Sequence, residues 1–282
     1  MIIVIVGPTG VGKTALSIEL AKKYNAIIIN GDSMQVYKNL DIGTAKVTED
    51  EKEGIPHLLF DIVDVKDMYT VYDYQKDLRK VLADNKDKNI IIVGGTGLYI
   101  KAGLYDYEFI EEDTNNTYDE LTNEELYDMV KEKYPNSDVH PNNRKRLIRL
   151  LNRECDSNKG NNLLYNCTFI GLTTDRETLY DRINKRVDKM FEDGLLEEVK
   201  SLYDRGIKSK ALTTGIGYKE LYDYFDGKIS LTEAKDLIKQ RSRHYAKRQY
   251  TWFNNQMNIN WFNVNFENFK ETILEVENFI DK

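Results

Sequence analysis

Apolar residues cluster in short runs along the chain. Residues 1–6, 26–30 and 89–93 are rich in Ile and Val with hardly a polar interruption, the pattern of strands buried on both faces. Residues 167–172 return to that pattern, and 58–63 read as a further short strand. Between them the period changes. Residues 15–21 and 71–85 carry apolar positions at helical spacing. So do 121–134, where Thr122 and Glu125 form a capping box. Helices follow from Asp175 onward, punctuated by Gly194 and Gly206, and from Glu233 onward, and residues 254–282 read as a closing strand and helix. Strands alternating with helices predict an α/β fold, a doubly wound parallel sheet of the P-loop NTPase kind flanked by helices. Residues 105–135 shift to acidic, Tyr- and Asn-rich text, which predicts a small helical insertion or lid. The expected division is 1–104 for the first part of the core, 105–140 for the insertion and 141–282 for the second part. No internal repeat is visible.

The strand ends carry the candidate chemistry. Gly7-Pro8-Thr9-Gly10-Val11-Gly12-Lys13-Thr14 follows the first strand and opens a helix, matching Gly-x-x-x-x-Gly-Lys-Ser/Thr without a mismatch. Glycines let successive N–H groups surround an anion, the helix N-terminus adds partial positive charge, Lys13 brings a full charge, and Thr14 offers a hydroxyl to Mg²⁺. The second strand ends in Gly31-Asp32-Ser33-Met34-Gln35 and the strand at 89–93 in Gly94-Gly95-Thr96-Gly97. Ligands in open α/β sheets bind beyond the carboxyl ends of the strands, which places Asp32 and Ser33 beside the phosphate loop. Taken alone, Asp32 reads more readily as a helix N-cap, for which Asp and Ser are both favoured. Gly94 stands where an ATPase would carry a Walker-B Asp, which weakens that reading.

Composition changes this picture little. The chain has 282 residues, 41% hydrophobic and 31% charged, an ordinary folded composition. No apolar stretch approaches the roughly 20 residues needed to cross a bilayer, and the opening run leads into the phosphate loop rather than a cleavage site, so a cytoplasmic protein without membrane contact is expected. The two cysteines, Cys155 and Cys167, and the three histidines, His57, His140 and His244, form no metal-ligand spacing.

The net charge of −7 hides two basic segments. Arg144, Lys145, Arg146, Arg149 and Arg153 occur without an acid until Glu154. Lys239, Arg241, Arg243, Lys247 and Arg248 also run without an acid, with Tyr245, Tyr250 and Trp252 nearby. A solvated helix face normally mixes both signs, whereas basic residues interleaved with aromatics suit a nucleic-acid backbone and exposed bases. Arg182 and Arg186 lie one helical turn apart, spaced either to clamp a diphosphate or to pair with Asp175 or Asp188.

Together these motifs resemble the tRNA dimethylallyltransferases, or isopentenyl-tRNA transferases. The matching text is Gly7-Pro8-Thr9, Asp32-Ser33-Met34-Gln35-Val36-Tyr37, Asp41-Ile42-Gly43-Thr44-Ala45-Lys46, Gly94 to Tyr99, His140-Pro141-Asn142, Gly215-Ile216-Gly217-Tyr218 and Ala246-Lys247-Arg248-Gln249. These stand in the family's order across nearly the whole chain. The resemblance implies transfer of a dimethylallyl group from its diphosphate to N6 of adenosine-37 beside the tRNA anticodon. It implies Asp32 as catalytic base, with Thr9 and Thr96 near the transferred group and the amine. Lys13, the loop amides, Thr14 through Mg²⁺, and Arg182 or Arg186 would hold the diphosphate. Ser33, Met34, Gln35 and the turn of Gly215, Gly217 and Tyr218 would face the anticodon loop, and the two basic helices would grip its stem. A monomeric bacterial-type enzyme is expected, without the zinc finger of some eukaryotic relatives. Residues 105–120 depart from the family pattern, being short, acidic and without a clear helix, which puts tRNA contacts there in doubt. Three rival functions compete with this one. A P-loop kinase explains the loop, sheet and arginines but not the basic segments. A prenyltransferase acting on free adenine nucleotides leaves those segments equally idle, and a non-enzymatic RNA-binding switch would bind both ligands without turnover.

Overall fold

The computed structural model describes residues 1–109, 118–152 and 160–282. The chain forms two compact units, residues 1–105 with 163–282, and residues 106–162.

In the larger unit, β1 (Ile2–Val6) feeds the phosphate loop and α1 (Lys13–Tyr24), followed by β2 (Ala26–Asn30), a short α2 (Glu49–Lys52) and β3 (His57–Leu58). The expected strand over 58–63 stops after two residues, because Leu59 and Asp61 take positive φ values of 63° and 54° and turn the chain out of extension. Val63 keeps a single bridge to Tyr37. Next come α3 (Val71–Asp84), which carries a capping box at Thr70 and Asp73, then β4 (Asn89–Val93) and α4 (Gly97–Leu104).

The smaller unit contains α5 (Asn123–Lys133) and α6 (Arg144–Leu151). Leu126, Val130, Val139, Leu147 and Leu151 form its core. It therefore reaches Asn162, well past the expected boundary at 140. The reason is the apolar side of the basic helix: Leu147 and Leu151 cover the face that α5 presents through Leu126 and Val130. Arg153, Glu154 and Cys155 lie outside the described residues, as do residues 110–117 of the acidic stretch.

The chain re-enters the larger unit through β5 (Cys167–Thr173) and continues as α7 (Arg176–Glu192), α8 (Leu195–Asp204), α9 (Lys210–Thr214), α10 (Tyr218–Phe225), α11 (Leu231–Gln256), β6 (Asn260–Asn263) and α12 (Phe269–Ile280). The long α11 begins two residues before Glu233, since Ser230 caps it and Glu233 is the third residue of that capping box. Among the described residues the sheet has six strands, ordered β3-β2-β4-β1-β5-β6 and parallel throughout.

Strand β1 lies between β4 and β5, and Ile3 to Val6 are completely buried. Its alternate residues serve opposite faces. Ile3 and Ile5 join Leu16, Leu20 and Val276 on one side, while Val4 and Val6 join Tyr74, Leu78, Ile100 and Phe253 on the other. A third core, around Val36, Leu40, Leu195, Val199, Leu212, Tyr218 and Ile238, joins the segment after β2 to the helices after β5. Strand order reverses between β4 and β1, so the turns after β1, β2 and β4 open on one side of the sheet.

Candidate active site

A cleft of about 850 Å³ lies at those turns, within the range of small-molecule sites. Thr9, Gly10, Gly12, Lys13 and Thr14 line it with Asp32, Ser33, Met34 and Gln35, and so do Arg182, Arg186, Gly215, Gly217, Tyr218 and Arg248. Residues from distant stretches of the chain thus meet in one cavity.

The phosphate loop sets its floor. Gly10 and Gly12 adopt φ of 83° and 101°, values that other residues reach only with strain. Lys13 Nζ donates to the carbonyls of Gly7 and Pro8 at 2.9 and 2.8 Å. Burial, helped by the positive charge of Arg186, pushes the Lys13 ammonium down to about 7, with Asp32 opposing. Burial lowers Arg186 as well, and Asp32 again opposes. The floor therefore pairs two cations with one carboxylate, an electrostatic balance that a further anion improves. Arg186 Nη2 donates to the Thr44 carbonyl at 3.4 Å, and Arg182 Nε to the Gly10 carbonyl at 3.1 Å. Neither arginine takes the surface pairing open to it, because Asp175 caps α7 and Asp188 binds Lys235 and Lys239.

Asp32 is not a helix N-cap. Its Oδ1 accepts the Met34 amide at 2.9 Å in a tight turn. Behind it, the fully buried Asn30 accepts the Asp32 amide through Oδ1 at 2.8 Å and donates through Nδ2 to the carbonyls of Asp32 and Leu59. Thr96 Oγ1 accepts the Ser33 amide at 3.0 Å and lies 3.2 Å from the Ser33 hydroxyl. Gly94 leaves no room for a Walker-B Asp, since even a Cβ there would lie 2.1 Å from the Gly31 carbonyl carbon.

Helix α11 supplies contacts that the sequence pattern did not reveal. Gln249, almost wholly buried, accepts the Thr9 amide at 2.9 Å and donates to the Gly95 carbonyl at 3.0 Å, tying the phosphate loop to the turn after β4. Tyr245 lies beside Thr96 and Gln249, and burial close to Asp32 keeps its phenol protonated. Tyr245 and Gln249 lie four residues apart on one helical face, a spacing visible in the sequence but without meaning until its facing partners are known. The C-terminal segment also contributes. Phe266 stacks on the Arg182 guanidinium at 3.8 Å, and Phe269 packs against Gly12.

The basic segments divide. Lys239 pairs with Asp188 at 2.8 Å, and Arg241 pairs with Glu220, whose side chain is only 1% exposed. Arg243 donates to Asn184 at 2.6 Å. These three cations, expected to grip RNA, each have a partner within the fold and serve the packing of α11. Lys247 and Arg248 are exposed, and they line a shallow groove with Thr251, Trp252, Asn255 and Gln256. In the smaller unit, Arg144 donates to the carbonyls of Leu121 and Tyr118 and so holds that unit together. Lys145, Arg146 and Arg149 are exposed there, and Arg146 approaches Asp138 at 3.5 Å. Cys167, half-buried at the start of β5, has its thiol pushed up to about 12 by burial, which favours the protonated form.

Comparison with known proteins gives one family. A profile described as IPP transferase matches residues 35–256. The chain is 49% identical to the tRNA dimethylallyltransferase of Bacillus subtilis (strain 168), over 93% of this chain and 90% of that one. It is 46% identical to that of Anoxybacillus flavithermus, over 99% and 96%. Among solved structures, a tRNA isopentenylpyrophosphate transferase from Bacillus halodurans superposes with a TM-score of 0.77 at 42% identity, covering 99% of this chain and 95% of that one. A eukaryotic dimethylallyltransferase acting on tRNA gives 0.73 at 30% identity, over 93% and 73%. With its phosphate loop, the carboxylate beside it and these likenesses extending over nearly its full length, the chain belongs to the IPP transferase family.

Proposed function

We infer that the protein is a tRNA dimethylallyltransferase that moves a dimethylallyl group from dimethylallyl diphosphate to N6 of adenosine-37 in the anticodon loop and releases diphosphate. The observation that carries this reading is one cleft holding a phosphate loop, two partly buried cations and the Asp32 carboxylate. In the reaction the N6 amine attacks the C1 carbon of the dimethylallyl group. The bond from that carbon to the diphosphate oxygen breaks, and the amine proton passes to Asp32. With Oδ1 engaged by the Met34 amide, Oδ2 is the oxygen placed to receive it. The leaving diphosphate gathers charge as the bond breaks, and Lys13, Arg186, Arg182 and the loop amides stabilise it there. Thr9 and Thr96, on the two turns joined by Gln249, flank the reacting groups.

Mg²⁺ belongs to this proposal. The cleft offers the Thr14 hydroxyl, and no cluster of three or more His, Cys, Asp or Glu occurs among the described residues. That sparse oxygen set suits an ion that keeps several waters and binds mainly through substrate phosphates. When bound, it neutralises charge on the leaving group.

The target base must leave its stack to reach Asp32. Lys247 and Arg248 beside Trp252, with Lys145, Arg146 and Arg149 of the smaller unit, are the proposed contacts to the anticodon stem-loop, and Met34, Gln35, Gly215, Gly217 and Tyr218 those nearest the base. The proposed enzyme works on tRNA as a cytoplasmic monomer. No helix among the described residues is long and apolar enough to cross a membrane. The test is a transfer assay with labelled dimethylallyl diphosphate, Mg²⁺ and unmodified tRNA, with free AMP as competitor. Label in tRNA that is nearly lost with Asp32→Ala is the expected result. Label in AMP alone, or no transfer, would overturn the reading.

A further inference from the structure

Glu198, on α8, is absent from the lining of the cleft. Its Oε2 accepts the amides of Asp41 and Ile42 at 3.0 and 2.7 Å. Its Oε1 accepts the Gly43 amide at 3.1 Å and the Tyr218 hydroxyl at 2.7 Å. Three successive backbone N–H groups converging on one carboxylate form a nest of the kind that binds anions, here filled by the protein's own side chain. Gly43 permits the closure, since a Cβ there would lie 2.6 Å from the Tyr218 ring.

The loop held in this way presents the Thr44 carbonyl to Arg186 Nη2 at 3.4 Å and to Gln35 Nε2 at 3.0 Å. Its far end is fixed by Lys46, whose Nζ donates to the Tyr37 carbonyl and pairs with Asp41 and Asp61. Between these two anchors Ala45 takes a φ of 45°, a conformation that a free loop would leave.

We propose that Glu198 is a positioning residue: its carboxylate fixes the loop from Asp41 to Thr44 against Tyr218, and through the Thr44 carbonyl it aims Arg186 at the diphosphate. Four donors meet one carboxylate, and a neutral amide cannot replace it. The NH₂ group of a glutamine would turn a donor toward backbone donors. This inference rests on the reading of the cleft as a diphosphate site.

The experiment is calorimetric titration of inorganic diphosphate with Mg²⁺ into wild type, Glu198→Gln, Arg186→Ala and the double variant. If Glu198 acts through Arg186, Glu198→Gln weakens binding about five- to tenfold in the wild-type background and less than about twofold when Arg186 is already absent. Glu198→Asp keeps the charge on a shorter stem and recovers part of the loss, and it carries the same cycle if Glu198→Gln does not fold. Equal losses in both backgrounds, or none in either, would overturn the positioning role. Failure of wild type to bind diphosphate would instead overturn the diphosphate reading, and this inference with it.

Discussion

The side-chain carbonyl of Gln249 accepts the backbone N–H of Thr9 at 2.9 Å, joining residues 240 positions apart in the chain. The same amide donates to the Gly95 carbonyl, so one side chain sets the spacing between the phosphate loop and the turn carrying Thr96. Gln249→Glu keeps the shape but turns an oxygen toward the Gly95 carbonyl. Leaving buried groups without partners costs about 1–3 kcal/mol. The variant should therefore unfold at a lower temperature and lose kcat/KM by about tenfold or more, measured by thermal unfolding and the transfer assay.

Asp32 is asked to take a proton, not to bind the diphosphate. Asp32→Asn should lower kcat by roughly 10²–10⁴-fold. Calorimetric affinity for inorganic diphosphate should stay within about threefold of wild type, or tighten, because a negative charge facing the anion has gone. A comparable loss of both would assign Asp32 to binding instead.

Lys13, held down to about 7 by burial and Arg186, makes diphosphate binding sensitive to pH. The anion prefers the charged lysine, so affinity is full below about pH 7 and declines above it as the free protein loses that proton. Binding at pH 8 should accordingly take up protons, read by calorimetry in buffers of different ionisation enthalpy, and Lys13→Arg should abolish most of the uptake. Stability runs the other way. Between about 7 and the ordinary lysine value of 10.5 the unfolded chain holds a proton that the folded chain lacks, so this group's contribution rises with pH.

Two cations on one helix should separate structure from RNA contact. Arg241→Ala leaves the buried Glu220 carboxylate without its ion-pair partner and should destabilise the fold by about 1–3 kcal/mol, below the full cost of a buried pair because the arginine is partly exposed. Lys247→Ala should leave thermal stability unchanged, weaken tRNA binding, and reduce the salt slope of that binding by about one. Equal loss of stability in both variants would contradict this division.

Arg144 is expected to behave like Arg241 rather than like Lys247. Arg144→Ala removes the donors to the Tyr118 and Leu121 carbonyls, and proteolysis within residues 106–162 should accelerate while inorganic diphosphate affinity is retained.

Elements whose cause is local were legible in the amino-acid order. The run of Ile2–Val6, the glycines at 7, 10 and 12, and the helix opening at Lys13 announce a strand, an anion loop and a helix from neighbouring residues alone, as the Thr122–Glu125 capping box announces α5. The parallel sheet followed from repetition of that unit, and Asp32 from its place at a strand end. Whatever depends on partners far along the chain waited for the fold. Lys239 and Arg241 look like free cations in sequence, and only the approach of α7 and α10 supplies Asp188 and Glu220 to neutralise them. Gln249 is a helical glutamine until Thr9 and Gly95 arrive at its two ends. Leu147 and Leu151 place the basic helix in the smaller unit, because burying an apolar face depends on what lies opposite, and a one-dimensional pattern shows that a face must be covered without showing by what.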